Sequence, residues 1–267
     1  MRRPWRRVGL ALAALLLLLP CLLPRPVAAL ESAGDIRESF ARALAASREG
    51  RPEEALALWS RVLESSPEDA AAWSNRGNVR LMLGDPRGAI ADQNQAMAIE
   101  PDAPDPHLNR GTAEEALGLW EEAAADYSWI LEREPQEAAA LYNLGNVRGS
   151  QGAWETARAC FHAAAEVRPG MAMARSSEAL AAFQLGDGAS AEHDLRSLIR
   201  RYPLFADARA GLTAVLWKEG SRGEAESHWA AASGLDPRYR QEEWLRQIRR
   251  WPPRAVQALG EFLSLDA

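Results

Sequence analysis

Five asparagines recur in this chain on a fixed spacing. Asn75, Asn109 and Asn143 stand 34 residues apart, and Asn78 and Asn146 follow two of them by three residues, inside the near-duplicate stretches 74–80 (SNRGNVR) and 142–148 (YNLGNVR). An amide side chain donates and accepts, so a row of amides can pair with the N–H and C=O of an extended peptide whatever that peptide's side chains are. Residues three apart share one face of a helix. This is recognition chemistry, and nothing beside it suggests catalysis. His107, His162, His193 and His228 are scattered, with no i, i+4 pair and no metal-ligand grouping. Cys160, beside Phe161, reads as a small buried hydrophobe. The acid pairs Glu114-Glu115 and Glu121-Glu122 read as solvated helix faces. A glycine-rich phosphate loop, a nucleophile elbow and a zinc-protease pair are all missing from the sequence. No enzyme, cofactor or metal site is expected.

The elements that would position the amides follow from the same spacing. Prolines fall at 67, 101, 135, 169, 203 and 237, glycines at 50, 84, 118, 152, 186 and 220, and alanines at 55, 89, 123, 157, 191 and 225. Three columns with one 34-residue period mark six repeated units. Each glycine suits the end of a helix, where a left-handed residue satisfies the last carbonyls. The alanine five residues on allows close helix approach, and the proline stops the second helix. Apolar residues between these marks keep helical spacing, as in Trp120, Ala124, Tyr127 and Leu131, and no alternating run argues for a strand. The spacing predicts an all-α chain of helix pairs, starting at 36–49 and 52–65 and ending at 206–219 and 222–235.

These columns resemble the tetratricopeptide repeat family. The family pattern stands in the second unit as Trp73, Gly77, Ala89 and Pro101, and in the fourth as Leu141, Gly145, Ala157, Phe161 and Pro169. The resemblance covers residues 36–237. The helix-crossing glycine is replaced by Ala43, Ala179 and Thr213 in the first, fifth and sixth units. The resemblance implies a right-handed solenoid of six helix-turn-helix repeats that binds a protein partner in a concave groove. It also implies that the asparagines face that groove, Asn75, Asn109 and Asn143 at the sixth position of their units and Asn78 and Asn146 at the ninth. Tyr142, Phe183 and Trp217, with Met82 and Met173, are the expected side-chain contacts. With helices about 10 Å apart and an extended peptide rising about 3.3 Å per residue, each asparagine would meet roughly every third residue. Five such bonds at about 1 kcal/mol each give only millimolar affinity, so pockets must add to the ladder. Asparagine is also common at these positions for helix packing alone, and both readings stand. Apart from Arg37, the corresponding groove positions lack the lysines and arginines of a carboxylate clamp, and the one lysine is Lys218.

The chain ends differ from the repeats. Arg2, Arg3, Arg6 and Arg7, an apolar run over 8–19 and Val27-Ala28-Ala29 resemble an export signal cut after residue 29. Pro20 interrupts the run short of a membrane span, although an uncleaved anchor is the competing reading. Cleavage would leave 26 basic against 37 acidic residues, a balance that disfavours nucleic acid or anionic lipid. The expected setting is an exported compartment, the periplasm or, from a faint tail similarity, a thylakoid lumen. Residues 238–267 read as C-terminal capping helices. Trp244, Leu245 and Ile248 form an apolar stripe with arginines outside, followed by a break at Trp251-Pro252-Pro253 and an amphipathic helix over 254–265. Arg246, Arg249, Arg250 and Trp251 form a basic, aromatic tail that could dock a membrane surface or an acidic partner. The alternative is a cap whose tryptophans pack on the sixth unit.

Overall fold

The computed structural model describes residues 33–265, and the expected export signal lies outside them. The first four pairs are α1 (Ala33–Arg48) with α2 (Pro52–Ser65), α3 (Ala70–Met82) with α4 (Pro86–Ile99), α5 (Pro104–Ala116) with α6 (Trp120–Arg133), and α7 (Ala138–Ser150) with α8 (Trp154–Val167). Two more pairs follow, α9 (Ala172–Gln184) with α10 (Gly188–Arg201) and α11 (Ala206–Lys218) with α12 (Arg222–Leu235). A 3-10 turn (Pro237–Arg240), α13 (Glu242–Gln247) and α14 (Pro253–Leu263) end the chain. No strand occurs among the described residues. None of their helices is long and apolar enough to cross a membrane.

The periodic residues build the joints as their chemistry requires. All six inter-helix glycines take positive φ, from 70° to 94°, a conformation with little cost only for glycine. Asp69, Asp85 and Asp187 cap α3, α4 and α10 by accepting from backbone N–H groups three residues on. Where the helices of a pair cross, a Cβ on Gly111 would lie 2.7 Å from the Tyr127 ring, and one on Gly145 would lie 2.6 Å from Phe161. Large residues of the second helix thus occupy the space that glycine leaves on the first.

First helices of neighbouring pairs touch, α1 with α3, α3 with α5, α5 with α7 and α9 with α11, whereas second helices make no comparable contact. The stack therefore curves with its first helices on the inner side. The C-terminal segment does not continue this stack as another pair. Instead α14 packs on α11 and α9, across the inner side. Its Ala255, Val256, Leu259 and Phe262 join Leu180, Phe183, Leu212 and Leu216 in the same apolar cluster, with Tyr239, Leu245 and Trp251. The expected end cap is thus an occupant of the groove. The expected stripe is also revised, because Ile248 is 67% exposed while Trp251 is buried.

Candidate functional site

The inner face has two regions, one open and one filled by the chain's own tail. Asn75, Asn78 and Asn109 line a cavity of about 190 Å³ with Ser74, Asp105 and Pro106. All five asparagines are half-buried. Several amides already serve the scaffold. Asn75 Nδ2 donates to Ala71 O on its own helix at 2.8 Å, and Asn109 Nδ2 donates to Ser74 Oγ in the preceding unit at 3.1 Å. Asn78 Oδ1 accepts from Gln93 Nε2 at 3.3 Å, and the Asn143 amide meets the Tyr127 hydroxyl. Asn146 uses its backbone carbonyl to accept from Ser150 Oγ, at 2.9 Å. Tyr142 is half-buried and tilts against Phe161, ring centres 5.6 Å apart.

In the second region α14 covers residues that the sequence places as peptide contacts. Phe183 is wholly buried, with the Arg254 guanidinium 4.7 Å above its ring, and the Arg254 N–H donates to Gln184 Oε1 at 2.8 Å. Trp217 packs edge-on against Phe262, and Lys218 pairs with Glu261 at 2.5 Å. Phe183 and Trp217 cannot meet a partner peptide while the apolar stripe of α14 lies on them.

The segment before α14 is anchored by charge. Asp207, at the start of α11, is 1% exposed. One oxygen accepts from Tyr239 OH at 2.7 Å, from Trp251 Nε1 at 3.1 Å and from Arg249 Nη2 at 2.7 Å, and the other accepts from Ser176 Oγ at 2.6 Å. Burial alone would raise the Asp207 carboxyl. The Arg249 charge and these hydrogen bonds outweigh that effect and hold it below the usual carboxylate range. Arg250 pairs with Glu115, which also accepts from Tyr127 OH. The Arg250 guanidinium lies 5.2 Å from the Trp120 ring centre. Two consecutive arginines thus reach two acids on different units. Of the two expected readings of the tail, the outward basic patch is corrected for Arg249, Arg250 and Trp251, which turn inward to these acids and aromatic rings, and the alternative holds in that Trp251 and Trp244 pack against the sixth unit. Arg246 stays exposed, paired with Glu242 at 2.8 Å.

Glu114 and Glu115, expected on a solvated face, are only 7% and 6% exposed. Glu115 has its two partners, but Glu114 Oε2 has no hydrogen-bond partner among the described residues. Burial and then the nearby Asp126 charge push the Glu114 carboxyl up to about 7. The folded chain therefore keeps a proton that the unfolded chain releases near its ordinary value of 4.5. This contribution to stability is complete below that value and is lost as pH rises through 7. Glu114→Gln should be more stable than the wild type at pH 8 by about 1–3 kcal/mol, with the gap closing at pH 4. Urea unfolding at the two pH values measures this, and a gap independent of pH would contradict it.

Sequence reasoning missed Asp207 and Glu115 as anchors. Their signal lay in register: Asp207 holds the second position of its unit, as Met173 does, and Glu115 the twelfth, as Phe183 does. It also missed a repeated buried pair. Arg76 chelates Asp92 at 2.8 and 2.7 Å, and 34 residues on Arg110 chelates Asp126 at the same distances. Asp126 also binds His107 Nδ1 at 2.8 Å, and His107 stacks on Trp129. Cys160 stands where the next aspartate would fall, and burial pushes its thiol up, away from reactivity. Among the described residues no group of acids, histidines and cysteines could hold a metal ion.

A family profile described as tetratricopeptide repeat matches residues 40–106, 108–172, 145–192 and 177–239. Among solved structures, a tetratricopeptide repeat protein from Parabacteroides merdae matches with a TM-score of 0.63 and 18% identity, over 87% of this chain and 93% of that one. TTC0263 of Thermus thermophilus matches at 0.58 and 20% identity, over 68% and 98%. YrrB, described as a TPR protein with an unusual peptide-binding site, matches at 0.53 and 18% identity, over 67% and 92%. These likenesses show the fold. No curated protein sequence matches the chain.

Proposed function

The chain belongs to the tetratricopeptide repeat family, and from that footing we propose that it is a non-catalytic protein-binding module. It holds an extended segment of a partner protein against the inner face of units two to four. The observation that carries this reading is the row of half-buried asparagines Asn75, Asn78, Asn109, Asn143 and Asn146, with Tyr142 beside them, on the part of the inner face that α14 leaves uncovered. Each amide that serves the scaffold with one atom retains capacity for a peptide backbone, since it carries two N–H groups and a carbonyl. The setting we propose, from the leader-like residues 1–29, is an exported compartment.

The test removes the two amides of the fourth unit, Asn143 and Asn146. A crosslinking pull-down compares the intact chain with the Asn143→Ala, Asn146→Ala double variant, checked by circular dichroism for unchanged helix content. Losing two to four hydrogen bonds of about 1 kcal/mol each should weaken capture of groove-bound partners about 30- to 700-fold. A partner set captured equally by both proteins would return the asparagines to helix packing.

A further inference from the structure

We propose that the inner face over units three, five and six is a binding site for a segment of the type arginine-arginine-aromatic-proline, and that residues 249–253 of this chain fill it in cis. This deepens the reading of the inner face as a protein-binding surface, and it names a partner chemistry for two acids of that face, Glu115 on the same helix as Asn109 and Asp207 beyond the asparagine row.

The first support is the pair of acids. Asp207 and Glu115 are 1% and 6% exposed, on α11 and α5, and burying a carboxylate is costly unless a cation and hydrogen bonds come with it. Their guanidinium partners are consecutive residues of one segment, 42 and 135 positions away in the chain. Trp251 adds a third contact by donating to Asp207. The wall therefore reads a short sequence, two arginines followed by an indole. Pro252 carries the chain beyond it in an extended conformation, at φ −57° and ψ 144°, and Pro253 opens α14.

The second support is the form in which the tail occupies the site. Arg250 has φ 51° and is the one non-glycine residue with positive φ among the described residues, a conformation that L residues adopt at a cost. It is held where it bridges the wall of unit three to the rest of the tail, which is bound to units five and six. Beside Arg250, a cavity of about 730 Å³ lies between Arg246, Gln247 and Ile248 and the groove residues Leu81, Thr112 and Trp120. The tail thus leaves room for a longer segment, and Ile248 stands exposed there, lining the cavity with Leu81 and Trp120. Tail and partner segment would compete for the same two acids, so the tail sets the threshold for binding.

The test is fluorescence anisotropy with a labelled peptide of the sequence of residues 247–254, QIRRWPPR. Wild-type full-length chain is compared with the full-length Arg249→Gln, Arg250→Gln, Trp251→Ala variant, which keeps α14 and empties the acid contacts. The peptide should bind the variant at least 10-fold more tightly than the wild type. That binding should fall at least 10-fold when Glu115→Gln is added, or when the peptide's two central arginines become glutamine. Equal binding to wild type and variant, or binding indifferent to Glu115 and to those arginines, would overturn the proposal. Should the variant not fold, the wild-type chain answers alone. Excess QIRRWPPR should speed hydrogen exchange over residues 249–256 at least 10-fold, and the glutamine peptide should not; no difference between the two overturns the proposal. Because these readouts depend on Asp207 and Glu115, the asparagine reading can fail without affecting them, and the reverse also holds.

Discussion

Asp207→Ala should destabilise the C-terminal half of the chain by about 3–5 kcal/mol, the scale of breaking a buried ion pair. The substitution leaves Arg249, whose side chain is 12% exposed, without its counter-charge, and removes the shared acceptor of Ser176, Tyr239 and Trp251. In a solenoid each unit is stabilised by its neighbours, so the loss should be local. Thermal unfolding should split, with units five and six and the tail melting about 10 °C or more before the rest, at about 2–4 °C per kcal/mol. Arg249→Met should also be costly, because it leaves the buried Asp207 carboxylate with hydrogen-bond donors but no cation, and combining it with Asp207→Ala should cost less than the sum of the two single losses. The pH dependence follows from the depressed Asp207 carboxyl: its stabilisation is present above the ordinary aspartate value of 3.8 and is lost as pH falls below it. Calorimetry at pH 7 and pH 3 checks both statements. A single unshifted transition in Asp207→Ala at pH 7 would mean that the aspartate does not anchor the tail.

Phe262→Ala should have the second largest effect, about 3–5 kcal/mol. The ring is 4% exposed and lies edge-on to both Trp217 and Trp229, with centres 5.8 and 6.1 Å away. It is thus the main apolar contact between the far end of α14 and units five and six. Its loss should release the tail while α1 to α8, which it does not touch, stay folded. Limited trypsin digestion reads this directly, because Arg249, Arg250 and Arg254 lie in the tail and Arg249 and Arg250 are paired inside the groove. The wild type should resist cleavage at these arginines, whereas the variant should be cut there first. Equal cleavage of the two would mean that α14 is not held by this contact.

The repeat architecture was legible because its determinants are local. A proline two residues past each second helix, a left-handed glycine between helices, and Gly77, Gly111 and Gly145 opposite Gln93, Tyr127 and Phe161 act within one unit and recur at a fixed interval. The shared helix face of the asparagines was legible for the same reason. The destination of the tail was not, because the contacts that decide it join residues 42 to 135 positions apart and no periodicity encodes them. The same contacts explain three other errors of the sequence reading. Glu115 looks like a solvated acid until Arg250 and Tyr127 are brought to it. Phe183 and Trp217 look like open groove aromatics until Phe262 and Arg254 cover them. An Arg-Arg-Trp stretch looks like a surface patch until Asp207 receives it.

The measurement that bears most directly on the seated tail is amide hydrogen exchange on the intact wild-type chain, read peptide by peptide. Residues 254–263 of α14 should exchange as slowly as residues 210–216 of α11, with which they share one core. Exchange of residues 254–263 at the rate of an unstructured peptide, beside a protected α11, would mean that the groove is open along its whole length and that the tail does not fill it.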